Sequence, residues 1–145
     1  MTVQFIPDGF HTVTPYLTVQ GAEQLLAFVK TAFDAQEVRC MKRPDGTISH
    51  AAVKIGDSMV ELAEAQAEWT PMPGAIHLYV KDADAVYQLA LSAGATSLQE
   101  LADMYYGERG AAIKDPVGNH WYIATHTENL SPDQLAEREA ALTHR

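Results

Sequence analysis

The side chains of this chain with the right types for chemistry are three imidazoles and a carboxylate, each inside a short apolar segment. They are His50 in Ile48-Ser49-His50-Ala51, Glu61 in Met59-Val60-Glu61-Leu62, His77 in Ile76-His77-Leu78 and His120 in Asn119-His120-Trp121. Imidazole and carboxylate together either hold a divalent cation or pass a proton. The plainer alternative is that they line a wet pocket and bond one another or the backbone. Arg109, in Tyr105-Tyr106-Gly107-Glu108-Arg109-Gly110, has two readings of its own. Its planar fork could clamp a ligand carboxylate or phosphate, or it could pin a loop through Glu108 or Asp115. Cys40 has no neighbouring base in sequence and reads as a small buried hydrophobe rather than a nucleophile. No Gly-rich phosphate loop, Cys-x-x-Cys pair, nucleophile elbow or basic stripe is present, which removes nucleotide, thiol-redox and nucleic-acid chemistry from consideration.

These candidates must be positioned by elements, and the chain describes nearly the same set twice. Ala51-Ala52-Val53-Lys54 recurs sixty residues later as Ala111-Ala112-Ile113-Lys114, and Leu17-Thr18-Val19 answers to Leu78-Tyr79-Val80. In the first half, residues 14–19 read as a strand. Ala22, Leu25, Leu26, Val29 and Phe33 then fall at helical spacing. Val38 to Lys42 and Ile48 to Ile55 form a hairpin around Pro44-Asp45-Gly46, and Ser58 to Ala63 is the last strand. Residues 64–74, with two Pro and a Gly, make a linker. The second half repeats the order, with strands at Ile76–Val80, Leu98–Met104, Gly110–Lys114 and Asn119–Thr125, and a helix from Asp82 or Ala83 to Ala93. Gly94 stands where a left-handed helix cap belongs. Ser131-Pro132-Asp133-Gln134 opens a terminal helix over 131–143. Two matched half-units, about 12–63 and 75–126, thus predict a single α+β domain spanning 1–145 with a cavity between its halves.

Composition sets limits on function. With 47% hydrophobic residues and ten Lys plus Arg against nineteen Asp plus Glu, the chain is globular and carries a net charge of −9. That charge repels nucleic acid and anionic membranes and favours cationic ligands. One Cys excludes an internal disulfide framework, and MTVQFIPDGF lacks a basic-then-apolar signal, so the expected location is a reducing cytoplasm. No run has the length of a membrane span.

A doubled strand-helix-three-strand unit ending in DPVGNHWYIATH resembles the vicinal oxygen chelate superfamily, the glyoxalase, bleomycin-resistance and dioxygenase group. TPYLTV, AFDAQ, PDGTISHAAVKIGDSMVEL, HLYVKDADA, YGERG and DPVGNHW look like its PhnB-like branch, and the likeness covers residues 12–126. The resemblance implies two βαβββ repeats forming a curved mixed sheet around a central cleft, and a homodimer that in some members exchanges halves. It also implies a four-ligand metal site, which aligns with Thr14, Glu61, Ala75 and Tyr122. Only Glu61 is a ligand type, and one carboxylate does not fix a catalytic metal, so the standard site is absent and no cofactor is expected.

If strand parity follows the aligned positions, Thr14, Tyr16, Thr18, His77, Tyr79, His120 and Tyr122 face the cleft, with His50 joining from its own strand. His50, Glu61, His77 and His120 would then form a rearranged divalent-metal site. Tyr79, Tyr106, Met41 and Met59 would supply apolar wall, Met59 equally reading as core. Trp121, of opposite parity to Tyr122, packs under the outer helix. Trp69 serves as a lid or dimer contact, and His126, Glu128 and His144 are surface residues. The expected function is binding of a small organic molecule in the inter-sheet cleft. The alternatives are a lyase or isomerase with Glu61 as general base or metal ligand, and an accessory protein with a vestigial cleft.

Overall fold

Eleven elements build the chain, described over residues 2–143 in a computed structural model. His144 lies outside the described residues. The first half runs β1 (Tyr16–Val19), α1 (Ala22–Phe33), β2 (Gln36–Lys42), β3 (Ile48–Ile55) and β4 (Ser58–Glu64). The second runs β5 (Ala75–Tyr79), α2 (Ala83–Ser92), β6 (Thr96–Met104), β7 (Glu108–Lys114) and β8 (His120–His126), followed by α3 (Pro132–Thr143). Each half makes one mixed four-stranded sheet, in the orders β1-β4-β3-β2 and β5-β8-β7-β6, whose first pair is parallel and whose others are antiparallel.

Alternation of side chains decides which face of each sheet is covered. Leu17, Val19, Ala51, Val53, Val60 and Leu62 of the first sheet lie with Leu25, Leu26, Val29 and Phe33 of α1 in the core. Ala111, Ile113, Trp121 and Ile123 of the second sheet lie with Ala83, Tyr87 and Ala90 of α2 in that same core. Trp121 is fully buried on the helix side, and its ring centroid is 4.7 Å from that of Phe33. The start of α1 is held by Glu64, at the end of β4, whose carboxylate accepts from the amides of Gly21 and Ala22 at 3.0–3.2 Å. Asp82 caps α2 by accepting from Ala85 N at 3.1 Å. Gly94 follows α2 with φ +110°, a conformation open to glycine.

The halves meet through α1 against α2, and no comparable contact joins the strands of one sheet to those of the other. Here the structure differs from the expectation of one curved sheet around a cleft. Both helix-covered faces are pooled in a single core, and both opposite faces, called open below, have no helix over them among the described residues and leave large aromatic side chains exposed. Tyr16 is 51% exposed, Tyr79 66% and Tyr122 43%.

The loop between β7 and β8 shows why DPVGNHW is a unit. Asp115, 2% exposed, accepts from Val117 N and Asn119 N, from Asn119 Nδ2 at 2.9 Å and from Trp121 Nε1 at 2.8 Å. Asn119, fully buried, in turn accepts from Gly74 N at 2.9 Å and so ties the linker to β8. A carboxylate bound this way cannot be removed without stranding buried donors. Asp115→Ala is therefore expected to destabilise the fold by about 3 kcal/mol, read as a fall in urea midpoint at unchanged slope, with Asp115→Asn intermediate.

Candidate functional site

On the open face of the first sheet, register places four side chains in one row across the strands: Tyr16 of β1, Glu61 of β4, Ala52 of β3 and Arg39 of β2. His50 stands two residues from Ala52 on the same strand face. Its Nε2–H donates to Glu61 Oε1 at 2.8 Å, and both side chains are about four-fifths buried, with 20% and 22% exposed. The Tyr16 ring lies 6.0 Å from the imidazole. Among the described residues, Oε2 of Glu61 has no hydrogen-bond partner, so one oxygen is fixed by His50 and the other is left for a ligand.

Two grooves extend this row. The amino-terminal segment crosses the open face beside Met59, and Phe5, Phe10, His11, Thr14, Arg39 and Glu61 line a groove of about 380 Å³. Towards the other end, the linker folds back on β1 through Met72 N to Thr18 O at 2.9 Å. Tyr16, Thr18, Arg43, Trp69 and Met72 line a groove there of about 570 Å³. Trp69 is 70% exposed at its rim.

The open face of the second sheet carries a different set. Its corresponding row is His77 of β5, Tyr122 of β8, Ala112 of β7 and Gln99 of β6. His77 stacks on Tyr122 at 6.5 Å and leans on Tyr79 at 4.6 Å. Tyr79 is paired with Ala124, and Ala124 with Gly110, so small residues leave a trough across which the phenol reaches Glu108. Tyr79 Oη donates to Glu108 Oε2 at 2.5 Å, and His77 Nε2 is 3.7 Å from Glu108 Oε1. Glu108 is buried at 9% exposure. Its hydrogen bond, with some desolvation, raises the Tyr79 phenol above the usual tyrosine range, and burial beside Glu108 raises Tyr106 as well.

The predicted residues thus divide between two sheets. Tyr16, His50 and Glu61 come together on the first, with Thr14 at the groove edge, where its Oγ1 donates to His11 O at 3.3 Å. His77, Tyr79 and Tyr122 come together on the second, with Tyr106 close enough for its phenol to feel Glu108. His120 is half-buried at the start of β8, paired with Ala75. The proposed convergence of His50, Glu61, His77 and His120 is not formed within the chain. Among the described residues no group of three or more His, Cys, Asp or Glu side chains could hold a metal ion. Of the four positions aligned with the superfamily's metal ligands, only Glu61 offers a ligand atom of the right kind, and Oε1 of that carboxylate is taken by His50. These residues do not fit the implied metal.

Arg109 requires a correction. It points to the helix side of β7, where Nε and NH2 donate to Asp84 of α2 at 2.7 and 2.9 Å and NH1 to Asp103 at 3.3 Å. It therefore pins α2 and β6, through partners other than Glu108 or Asp115, and holds the Asp84 carboxyl below the usual carboxylate range. Sequence reasoning missed Arg39 and Glu108 as open-face residues. Starting β7 at Glu108 rather than Gly110 would have revealed the latter, because Glu108, Gly110 and Ala112 share one parity.

The Tyr79–Glu108 bond predicts a pH effect of defined sign. A phenol whose folded value is raised contributes stability that is complete below the unfolded tyrosine value near 10.0 and is lost as pH rises through the folded value. In an ultraviolet difference titration, Tyr79→Phe should remove a tyrosine component that ionises above the ordinary range. A component lost from the ordinary range instead would refute the assignment.

Comparison with known proteins agrees with this architecture. Residues 9–123 match the profile of the Glyoxalase/Bleomycin resistance protein/Dioxygenase superfamily. The uncharacterized Mycobacterium bovis protein Mb0911c is 34% identical over 134 residues, covering 85% of this chain and 88% of that one. Among solved structures, TioX from Micromonospora sp. ML1 superposes with a TM-score of 0.69 at 20% identity, over 80% of this chain and 98% of that one. The PhnB protein from Bacillus cereus superposes with a TM-score of 0.62 at 17% identity, over 79% and 99%. With the profile matched over most of its length and two four-stranded mixed sheets backed by helices, this chain belongs to the glyoxalase, bleomycin resistance and dioxygenase superfamily.

Proposed function

We propose that this protein binds a small organic molecule on the open face of the first sheet, between the amino-terminal segment and the linker, with the His50–Glu61 pair as its polar anchor. The observation that carries this reading is the pair itself: a carboxylate and an imidazole 2.8 Å apart, mostly buried, with the Tyr16 ring beside the imidazole and Phe10 lining the groove beside the carboxylate. Apolar walls with a few convergent polar groups are what a small-molecule site requires. The superfamily's metal chemistry is not carried over, because the ligand set does not fit it. Within the superfamily we assign the chain to the PhnB-like branch on its motifs, and a cytoplasmic location is consistent with the single Cys40.

A second reading rests on the free Oε2 of Glu61. A carboxylate held through one oxygen by an imidazole is a fixed general base, and it suits a lyase or isomerase that removes a proton from carbon. Tyr16 and His50 are the neighbouring groups that would return the proton or steady the resulting charge.

We also propose a homodimer in which the open face of one copy's first sheet is covered by the open face of the other's second sheet. Exposed Tyr16, Tyr79, Tyr122, Val38 and Met41 on these faces support it, since a monomer gains nothing by leaving aromatic surface uncovered. Such an arrangement would bring His77 and Tyr122 of one copy over the anchor of the other, closing a cleft that a single chain leaves open.

Light scattering on the purified full chain should give the mass of two copies, and a monomer at micromolar concentration would overturn the dimer. A thermal-shift screen of neutral and charged small molecules is expected to return ligands of wild type. Their affinity should fall about tenfold in Glu61→Gln and in His50→Ala, the scale of one lost hydrogen bond to a charged group. Ligands that bind both variants undiminished would remove the pair from the site. An isomerase would in addition exchange a ligand C–H with deuterated water in wild type but not in Glu61→Gln.

A further inference from the structure

The strand β2 carries an extra residue. Glu37 pairs with Val53 and Arg39 with Ala52, so Val38 is a bulge that places two residues of β2 against one of β3. Its effect is to turn Arg39 outward. Without it, Arg39 would stand opposite Ala51 on the helix-covered face, where Glu37 already pairs with Lys30 of α1 at 2.8 Å. With it, Arg39 joins the open-face row and lines the same groove as Glu61 and Thr14.

The side chains of the neighbouring cations have partners and, among the described residues, that of Arg39 has none. Lys42 faces Glu23 of α1 at 3.5 Å, and Arg43 bonds Thr47 Oγ1 at 3.1 Å and the carbonyl of Ile48. Among the described residues Arg39 has no ion pair or hydrogen bond. In a protein with nineteen acidic side chains against ten basic ones, a guanidinium aimed into a groove without a carboxylate partner is placed for an anion that comes from outside. The second sheet has the same irregularity, with Ser97 paired to Ile113 and Gln99 to Ala112, but there the outward residue is neutral. Charge in the row is confined to the first sheet.

We infer that the ligand of this groove is a small carboxylate, gripped by Arg39, whose adjoining carbons run along the groove towards Glu61. The inference rests on the reading of the groove as the ligand site and names the class of molecule it takes. Register supplies the scale. Strands two apart put the backbones of Arg39 and Glu61 about 10 Å from each other. Ala52 between them carries only a methyl group and is fully buried, so the groove is lined by the side chains of Arg39 and Glu61 above it. A guanidinium fork receives a carboxylate through two parallel hydrogen bonds, and the groove between the Arg39 and Glu61 side chains holds the next one or two carbons. Phe5 and Phe10 face the remainder, which is therefore apolar. The unpartnered Oε2 of Glu61 tolerates the anion because the anionic end is held at Arg39, at the opposite end of the row.

Three probes of one shape test this: phenylacetate, phenylacetamide and phenethylamine, which are anionic, neutral and cationic. Each is titrated into the isotope-labelled full chain while the amide resonances of Arg39, Ala52 and Glu61 are followed. The expected result is that phenylacetate binds about tenfold more tightly than phenylacetamide, the scale of a charge-assisted pair. Arg39→Ala should erase that preference, and Arg39→Lys should restore part of it. If the amide or the amine binds at these residues as well as the acid, or if Arg39→Ala keeps the acid preference, the carboxylate assignment is overturned while the groove survives as a ligand site. If none of the three moves these resonances at millimolar concentration, the groove reading falls and the inference with it.

Discussion

Packing of Phe33 against Trp121 is the contact on which the rest of the molecule depends. Each half of the chain has a sheet with one apolar face and a helix with one apolar stripe, and neither is large enough to be secure alone. Bringing the end of α1 against the β8 tryptophan makes one core out of two. Asp115 fixes that tryptophan by its indole nitrogen while arranging the loop before it, so the anchor of the core and the turn that precedes β8 are set by a single carboxylate. Once both covered faces are committed to the shared core, the other two faces have nothing left to pack against within the chain.

Those open faces have diverged in chemistry while keeping the same frame. In both, the row across the strands has an alanine as its third member, Ala52 or Ala112, and a residue turned out by a bulge as its fourth. The first sheet fills the remaining places with a phenol, a carboxylate and a guanidinium. The second fills them with an imidazole, a phenol and an amide. Its own carboxylate, Glu108, is tucked below the row under Tyr79 and His77. One open face therefore presents fixed charge, and the other aromatic surface with hydrogen-bonding groups.

Much of this was legible in the sequence, and the parts that were not share a cause. Helix α1 follows from the spacing of Ala22, Leu25, Leu26, Val29 and Phe33, and the burial of Trp121 from its parity against Tyr122. The meeting of His50 with Glu61 follows from alternation along two neighbouring strands. Alternation fails where a strand gains a residue, which is why the face of Arg39 could not be counted out from Val38. It also fails at strand ends. Beginning β7 two residues late hid Glu108, and ending β4 at Ala63 left Glu64 in the linker when it is the cap of α1. Arg109 was misplaced for a different reason: its partner Asp84 is twenty-five residues away, and no local pattern announces an ion pair between a strand and the first turn of a helix. Nor does periodicity say how two covered faces will be put together, so a cleft within one chain was expected where the core joins the helices instead.

The bulges in β2 and β6 give this architecture an economical route to novelty. In a sheet, gaining or losing one residue acts as a shift of frame: everything beyond it trades the inside for the outside, until a second irregularity restores the phase. Strand β3 carries the compensating residue, Ser49, since Met41 pairs with His50 and Lys42 with Ile48, which returns the two strands to their original register. Lineages built on this plan can thus change what a groove presents by a single insertion or deletion in an edge strand. The hydrophobic residues that hold the molecule together need not change at all.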